Sequence, residues 1–471
     1  MAINRRLSPL VDRKLTACVT AASIRVNPRL TFRSSAILNE MTNPVSAIPD
    51  SGEQEQRSAS VRPDIIAVIG LALAARLAWI WFGRWVAGDS AWYLDVARNL
   101  AFNHVFGTGT AGANLTPTAF RPPLYSAVIA LLWLRDSPPI SAVLLLQAFF
   151  GAATVALVFL IASDQFPRSV ARLAAAGMAV APMTGHFTAV ILNETLFTFL
   201  LTLGVFCWGR KHYSATGLVF GLAALTRVVI LPFVVLLPLL TLFGPWRSFR
   251  RDYLKILLFV LALISPWTIR NAIQFHRFIP IAAGGYGTNL FLGSLETSDA
   301  DDVTKRKALL SRVDEAGGRQ ADETAFDRVR LAAALRRIAD NPGRWLLARG
   351  QQYPRLFIDS GSYMFPNDST PLRSAIRDGQ VGQALVRILF VLGNMLVFAF
   401  AFIEVFAEGL RGFVRLSPLV LFPMVLMLLS LPFWIEPRYG LPMMPMIAVL
   451  SAAGLARSWA FLTRGSQSDE L

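Results

Sequence analysis

Apolar and polar positions along this chain fall into long blocks, not the short alternation of a soluble fold. Apolar stretches on the scale a helix needs to cross a bilayer, roughly 20 residues, recur at 65–82, 140–162, 169–185, 194–209, 214–227, 229–244, 254–269, 384–406, 415–433 and 438–460. They predict an all-α polytopic membrane protein with about ten transmembrane helices, because a helix satisfies its own backbone groups where no water is present. Leu124–Leu134 is apolar too, but it ends at Arg135-Asp136 and is short for a span. It reads as a helix lying at the outer membrane interface.

Composition agrees. The chain is 54% hydrophobic and 16% charged, whereas a soluble domain carries about 25% charged residues. The net charge of +15 would point to nucleic acid in a soluble protein. Here it reads as Lys and Arg gathered on cytoplasmic loops against anionic lipid. Arg168 and Arg172, Arg210 and Lys211, the Arg247–Lys255 cluster, and Arg411 and Arg415 all fall on one side of the alternating spans. That side is cytoplasmic, and with it both termini. The only cysteines, Cys18 and Cys207, lie far apart and imply neither a disulfide framework nor a thiolate metal site.

The remaining segments follow. Residues 1–62 have no spanning run and read as a disordered cytoplasmic tail, or a transit peptide or mis-assigned start with Met41 first. Residues 63–460 form the membrane domain, and 461–471 a short cytoplasmic tail. Two long loops face outward, 83–139 and 271–383. The second is basic, but loops beyond about 60 residues escape the charge rule. It should hold helices: Phe326, Leu331, Leu335 and Ile338 recur near the helical period, and Asn341-Pro342-Gly343 is a stop. Trp345, Leu346 and Phe357 are expected to pack on the membrane surface.

Candidate chemistry gathers at the outer ends of the spans. Asp89 lies just beyond the first span, at the start of a short amphipathic stretch. Near low-dielectric material a carboxylate can have a raised pKa and serve as a general base; equally, Asp89 can be that helix's N-cap. Asp95 reads as a packing or solvated residue. Arg121, before Pro122-Pro123, sits at headgroup level, where a guanidinium can take a lipid phosphate through two bonds, or be an ordinary interfacial arginine. Asn193-Glu194, Arg270-Asn271 and Glu436-Pro437-Arg438-Tyr439 stand at outer span ends on the same side, as parts of one polar cavity. His104, His186 and His276 lie outside as well but lack ligand spacing.

In order, these pieces resemble the bacterial branch of the protein-mannosyltransferase-like glycosyltransferases, family 39, of the GT-C fold. The resemblance runs from about Ile65 to Trp459. It is carried by the Asp89 loop with Tyr93, Arg121-Pro122-Pro123-Leu124-Tyr125, Asn193-Glu194-Thr195-Leu196-Phe197 and Gly221–Arg227. It continues through Pro266–Asn271, Gly284-Gly285-Tyr286 with Asn289–Gly293, and Glu436–Tyr439. It implies two juxtamembrane helices in the first outer loop, Asp89 as the catalytic acid, and Arg121 near the donor phosphate. Tyr93, Glu194, Arg270, Asn271, Arg438 and Tyr439 are the further substrate-binding candidates. Many relatives carry two adjacent acids in the first loop. Here Ser90 follows Asp89, which argues against a metal held by this motif.

The expected reaction is inverting transfer of a sugar from a polyprenyl-phosphate donor to a hydroxyl of a lipid, glycan or protein, on the periplasmic face of a bacterial inner membrane. The donor lipid is a substrate, no cofactor is fixed by the sequence, and a divalent metal stays open as an alternative that the Asp89-Ser90 pair speaks against. Two rivals remain. A transporter or flippase would use many spans, but the sequence shows no repeated halves and no paired broken helices, and Arg76 and Glu404 are its only charges deep in spans. An oligosaccharide ligase or polymerase would take a diphosphate-linked donor, against which the short first loop with an early Asp argues.

Overall fold

A computed structural model of the chain describes residues 51–83, 86, 88–110, 114–240, 249–296, 303–317, 323–358, 361 and 376–468. The chain divides into two compact units, Met1–Val61 and Arg62–Leu471. Most of the tail expected over 1–62 lies outside the described residues.

In the second unit the membrane helices are α1 (Arg62–Phe82), α4 (Ile140–Gln165), α5 (Arg168–Val180), α6 (Pro182–Thr188), α7 (Glu194–Gly209), α8 (Tyr213–Ala224), α9 (Ile230–Leu240), α10 (Arg250–Phe275), α15 (Val381–Arg415), α16 (Ser417–Ser430) and α17 (Met444–Ser468). Five segments are long and apolar enough to cross a bilayer: Arg62–Phe82, Ile140–Gln165, Arg250–Phe275, Val381–Gly409 and Pro437–Thr463. The helices α7, α8, α9 and α16 are apolar but shorter. The stretch read as one span at 169–185 is two helices, broken at Ala181-Pro182, because proline lacks the amide that would continue the helix. A long helix also breaks at Gly409, whose φ of 60° only glycine adopts readily.

Small residues let these helices approach, as is usual where lipid supplies no hydrophobic drive. A Cβ at Gly454 of α17 would stand 1.9 Å from the Phe400 carbonyl of α15, and one at Gly217 of α8 would stand 2.7 Å from the Ile256 carbonyl of α10. Two charges expected deep in spans are internal. Arg76 donates to the Ala72 and Ala179 carbonyls at 3.1 and 3.2 Å. Glu404 receives Arg457 at 2.8 and 2.9 Å.

Charges collect at one end of the bundle. Asp64 holds Arg168 and Arg172, Asp164 holds Arg210 at 3.0 Å, and Glu408 holds Arg415 at 2.9 Å. Following α1, α7, α8 and α17 to their other ends leads to Asp89, Glu194, Arg227 and Arg438.

Those other ends are capped by the two loops. The first carries α2 (Gly88–Asn103), α3 (Leu124–Leu132) and a two-residue hairpin, β1 (Gly107–Thr108) against antiparallel β2 (Thr116–Pro117), an addition to the all-α expectation. At nine residues α3 is about 14 Å long, too short to span. The second carries α11 (Tyr286–Ser294), α12 (Val303–Ala316), α13 (Glu323–Asp340) and α14 (Pro342–Gln352).

Their core is Leu290, Phe291, Leu292, Leu295, Ala334 and Trp434, with Ile338 packed against it. The expected stripe on α13 is therefore rotated: Leu335 is 54% exposed while Ala334 is fully buried. Asn341 ends α13 and accepts the Arg344 amide of α14, so the expected stop is also a cap. Phe357 packs edge-on against Phe398 of α15, and Leu346 is exposed.

Candidate active site

A cavity of about 610 Å³ lies where the loops meet the helix ends, and it is lined by Asp89, Tyr93, Arg121, Glu194, Arg438 and Tyr439 among others. Six of the eight sequence-predicted site residues thus come together. The scaffold explains how. Asp89 occupies the first turn of α2. That turn is fixed by Ser90, whose hydroxyl donates to the Ile191 carbonyl at 2.8 Å. Glu194 opens α7, and Arg438 follows Pro437 in the 3-10 turn Pro437–Met443 that leads into α17.

Both oxygens of Asp89 face arginines, not the amides of its own helix. Arg121 Nη2 donates to Oδ1 at 2.9 Å and Arg438 Nη1 to Oδ2 at 3.3 Å. Burial pushes the Asp89 carboxyl up, but the charges and hydrogen bonds of Arg121 and Arg438 outweigh it and hold the group below its ordinary range. Low dielectric alone would raise the carboxyl, which is one of the two possibilities the sequence leaves open. That effect loses because two guanidinium groups stand within contact distance.

Arg121 itself sits among aromatic rings, with its guanidinium carbon 5.4 to 5.7 Å from the centroids of Tyr93, Trp92 and Phe120. The quadrupoles of those rings stabilise the cation. Tyr93 is buried and meets Tyr125 edge-on at 4.9 Å. Tyr125 in turn donates to Gln147 at 2.5 Å, tying the first loop to α4. Burial raises the Tyr93 phenol, which therefore stays neutral.

Glu194 is 2% exposed. Its Oε1 lies 2.8 Å from Arg227 Nη1 and 3.8 Å from Arg438 Nη1, while its Oε2 has no hydrogen-bond partner. Arg438 is the hub, since its Nε also stands 2.6 Å from Glu436 Oε2. Tyr439 is flanked by the Arg227 and Arg438 guanidinium groups at 5.8 and 5.6 Å. The result is a continuous chain of alternating charge from Arg121 through Asp89, Arg438 and Glu194 to Arg227, with Glu436 attached at Arg438.

Arg227 and Glu436 were not among the predicted site residues, although both stand in the sequence stretches that raised the others. The available signal was position alone, a charge directly abutting an apolar run at the outer end.

Arg270 and Asn271 lie one layer behind. Arg270 donates to the Thr118 and Phe106 carbonyls at 3.0 and 3.2 Å, and Asn271 to those of Ile279 and Ile281 at 3.2 and 3.1 Å. They are absent from the lining and brace the loop that delivers Phe120 and Arg121: Gly284 N donates to the Phe120 carbonyl at 3.2 Å. Asp95 accepts the Gly109 amide at 3.0 Å, a packing role. His104 and His276 are exposed residues in left-handed backbone at helix ends. Among the described residues no three His, Cys, Asp or Glu side chains gather as a metal site would need.

The rest of the wall divides by chemistry. The membrane side is apolar, with Val228, Val229 and Pro232 before and on α9, and Leu426 and Leu429 on α16. The outer side is polar, with Tyr286, Thr288 and Asn289 of α11 and Arg330 of α13. Arg330 is held by Asp314 at 2.6 and 2.9 Å.

Residues 120–269 match the family described as dolichyl-phosphate-mannose-protein mannosyltransferase. No curated protein matches the chain in sequence. Among solved structures, the chain resembles the archaeal oligosaccharyltransferase AglB from Archaeoglobus fulgidus in complex with an inhibitory peptide and a dolichol-phosphate. The TM-score is 0.50 at 12% identity, over 88% of this chain and 52% of that one. The apo form of the same organism's enzyme gives 0.50 at 13%, over 86% and 52%. The chain spans about half the length of these enzymes. ArnT from Cupriavidus metallidurans bound to undecaprenyl phosphate gives 0.41 at 14%, over 83% and 78%. With its helical membrane bundle, its two loops and this family match, the chain has the GT-C fold and is related to the protein mannosyltransferases.

Proposed function

We propose that the protein is an inverting glycosyltransferase that moves a single sugar from a polyprenyl-phosphate donor to an acceptor hydroxyl on the periplasmic face of the inner membrane. The observation that carries this reading is the charge chain of the cavity. It sets a carboxylate between two arginines at the mouth of an apolar cleft, as a lipid-linked phosphate and an attacking hydroxyl together require. Asp89 accepts the hydroxyl proton as the acceptor oxygen bonds to the anomeric carbon. The bond from that carbon to the phosphate oxygen breaks, and its electron pair leaves with the polyprenyl phosphate. Arg121 and Arg438 offset the charge that grows on that phosphate, help commonly worth several kcal/mol. Single displacement inverts the anomeric centre.

The cavity's size supports a monosaccharide, since about 610 Å³ lies within the usual range for one small ligand. The gathering of Arg168, Arg172, Arg210 and Arg415 at the far end supports an outward-facing site. The test is transfer by purified protein from a labelled polyprenyl-phosphate hexose or pentose. Mass spectrometry of envelope lipids and glycans in a deletion strain would name the acceptor by the sugar it loses. No change in any envelope glycan, with no transfer in vitro, would overturn the reading.

A further inference from the structure

Every arginine that lines the cavity is already shared with a carboxylate. Arg121 is held by Asp89 and stacked among rings; Arg438 divides itself among Asp89, Glu194 and Glu436; Arg227 is held by Glu194; Arg330 is held by Asp314. The lining carries four arginines, Arg121, Arg227, Arg330 and Arg438, against three acids, Asp89, Glu194 and Glu436, a balance of +1. An arriving phosphate brings a second anion to guanidinium groups that already face carboxylates, and the two anions compete for them.

The carboxylate that yields is the loosest one. Glu194 has a side chain 3% exposed and is packed at the head of α7, whereas the Asp89 side chain is 31% exposed. Glu436, though similarly exposed, is also held by the Trp434 indole at 3.2 Å and by the close Arg438 Nε. Asp89 has Arg438 only at 3.3 Å and otherwise depends on Arg121.

We propose that the donor phosphate and Asp89 compete for the guanidinium groups of Arg121 and Arg438, so that donor binding itself frees the carboxylate to take the acceptor's proton. This rests on the donor reading above. The charged and titratable groups facing Asp89 are Arg121, Arg438 and Tyr439, with Tyr93 against Arg121 and with Glu194 and Glu436 behind Arg438. Once phosphate neutralises the two arginines and adds its own negative charge, each change strengthens proton binding at Asp89. Its depressed pKa then rises toward and past the ordinary value. In the empty site the same carboxylate is a weak base. Glu194 and Glu436 are positioning residues: they keep Arg438 in place while its other partner changes.

The test uses the full chain in lipid nanodiscs with farnesyl phosphate as probe and farnesol as the uncharged control. Infrared spectra of isotope-labelled aspartate carboxyl groups are followed through a pH titration. Asp89→Asn identifies the signal, and Asp89→Glu does so if the amide fails to fold, because it removes the carboxyl from the labelled set. Farnesyl phosphate should tighten proton binding at Asp89 about tenfold or more, and farnesol should leave it unchanged. Calorimetric binding of farnesyl phosphate without a shift at Asp89 overturns the competition and leaves the donor reading standing. Failure of farnesyl phosphate to bind overturns both.

Discussion

Asp89 and Arg438, separated by 349 positions in the chain, meet across the cavity at 3.3 Å. That contact joins the first outer loop to the turn before the last helix. The two ends of the membrane domain therefore close on one carboxylate, and the predictions below turn on it.

Asp89→Asn should leave a folded, inserted protein whose transfer rate is lower by roughly two to four orders of magnitude, the usual contribution of a positioned base. Asn can still accept from Arg121, so loss of fold is not the expected result. Asp95→Asn keeps an acceptor for the Gly109 amide and should change little. Steady-state transfer assays on both variants check this, and near-normal activity in Asp89→Asn would remove the residue from the chemistry.

Acid dependence follows from the depressed Asp89 carboxyl. Its folded pKa lies below the unfolded value of about 3.9. The stability it contributes is fully present above that value and is lost as pH falls through the folded pKa. The acidic limb of kcat/KM, which reports the free enzyme, should likewise lie below the ordinary aspartate value. In Arg121→Ala the limb should move up, because desolvation remains while the closest cation is gone.

Arg121→Ala and Arg270→Ala should fail in different ways. The first loses donor affinity and rate, with Arg121→Lys in between, since lysine keeps the charge but not the fork. The second removes hydrogen bonds to the Thr118 and Phe106 carbonyls and should lower thermal stability without moving the pH limb. Melting curves beside pH profiles separate the two.

Glu194→Gln leaves Arg227 half-satisfied in a buried place. Breaking a buried pair costs about 3 kcal/mol or more, so a fall in melting temperature is expected together with a raised KM for donor. Arg227→Gln in the same background should recover part of the stability but not the KM. A double-mutant cycle measures this.

Reporter fusions within 316–323 should read as periplasmic, and those in the turn after Arg210 as cytoplasmic. A cytoplasmic signal from 316–323 would put the base and the lipid donor on the wrong side.

The membrane architecture was legible because twenty-residue apolar blocks leave little else for the backbone to do. The helix breaks were readable in part: Pro182 lay inside a stretch that hydropathy alone joined into one. The stripe on α13 marked the helix but not its buried face: Leu331 and Leu335 are exposed, and close packing against α11 selects the small Ala334. At the site, position near an outer span end found Asp89, Arg121, Glu194 and Arg438. The same criterion could not separate Arg270, which faces backbone carbonyls, from Arg227, which faces the cavity, because side-chain direction depends on how the helix is rotated. Nor could it give the sign of the Asp89 shift, which depends on Arg438 arriving from the far end of the chain.

The Ser90 hydroxyl, held against the Ile191 carbonyl, also bears on how this loop can change. A second carboxylate at position 90 would meet a carbonyl oxygen in a buried place, with two acceptors opposed and no proton between them. A two-acid loop is therefore not one substitution away. The route to it passes through a rebuilt 189–193 turn, and that turn also carries Asn193 and leads straight into Glu194.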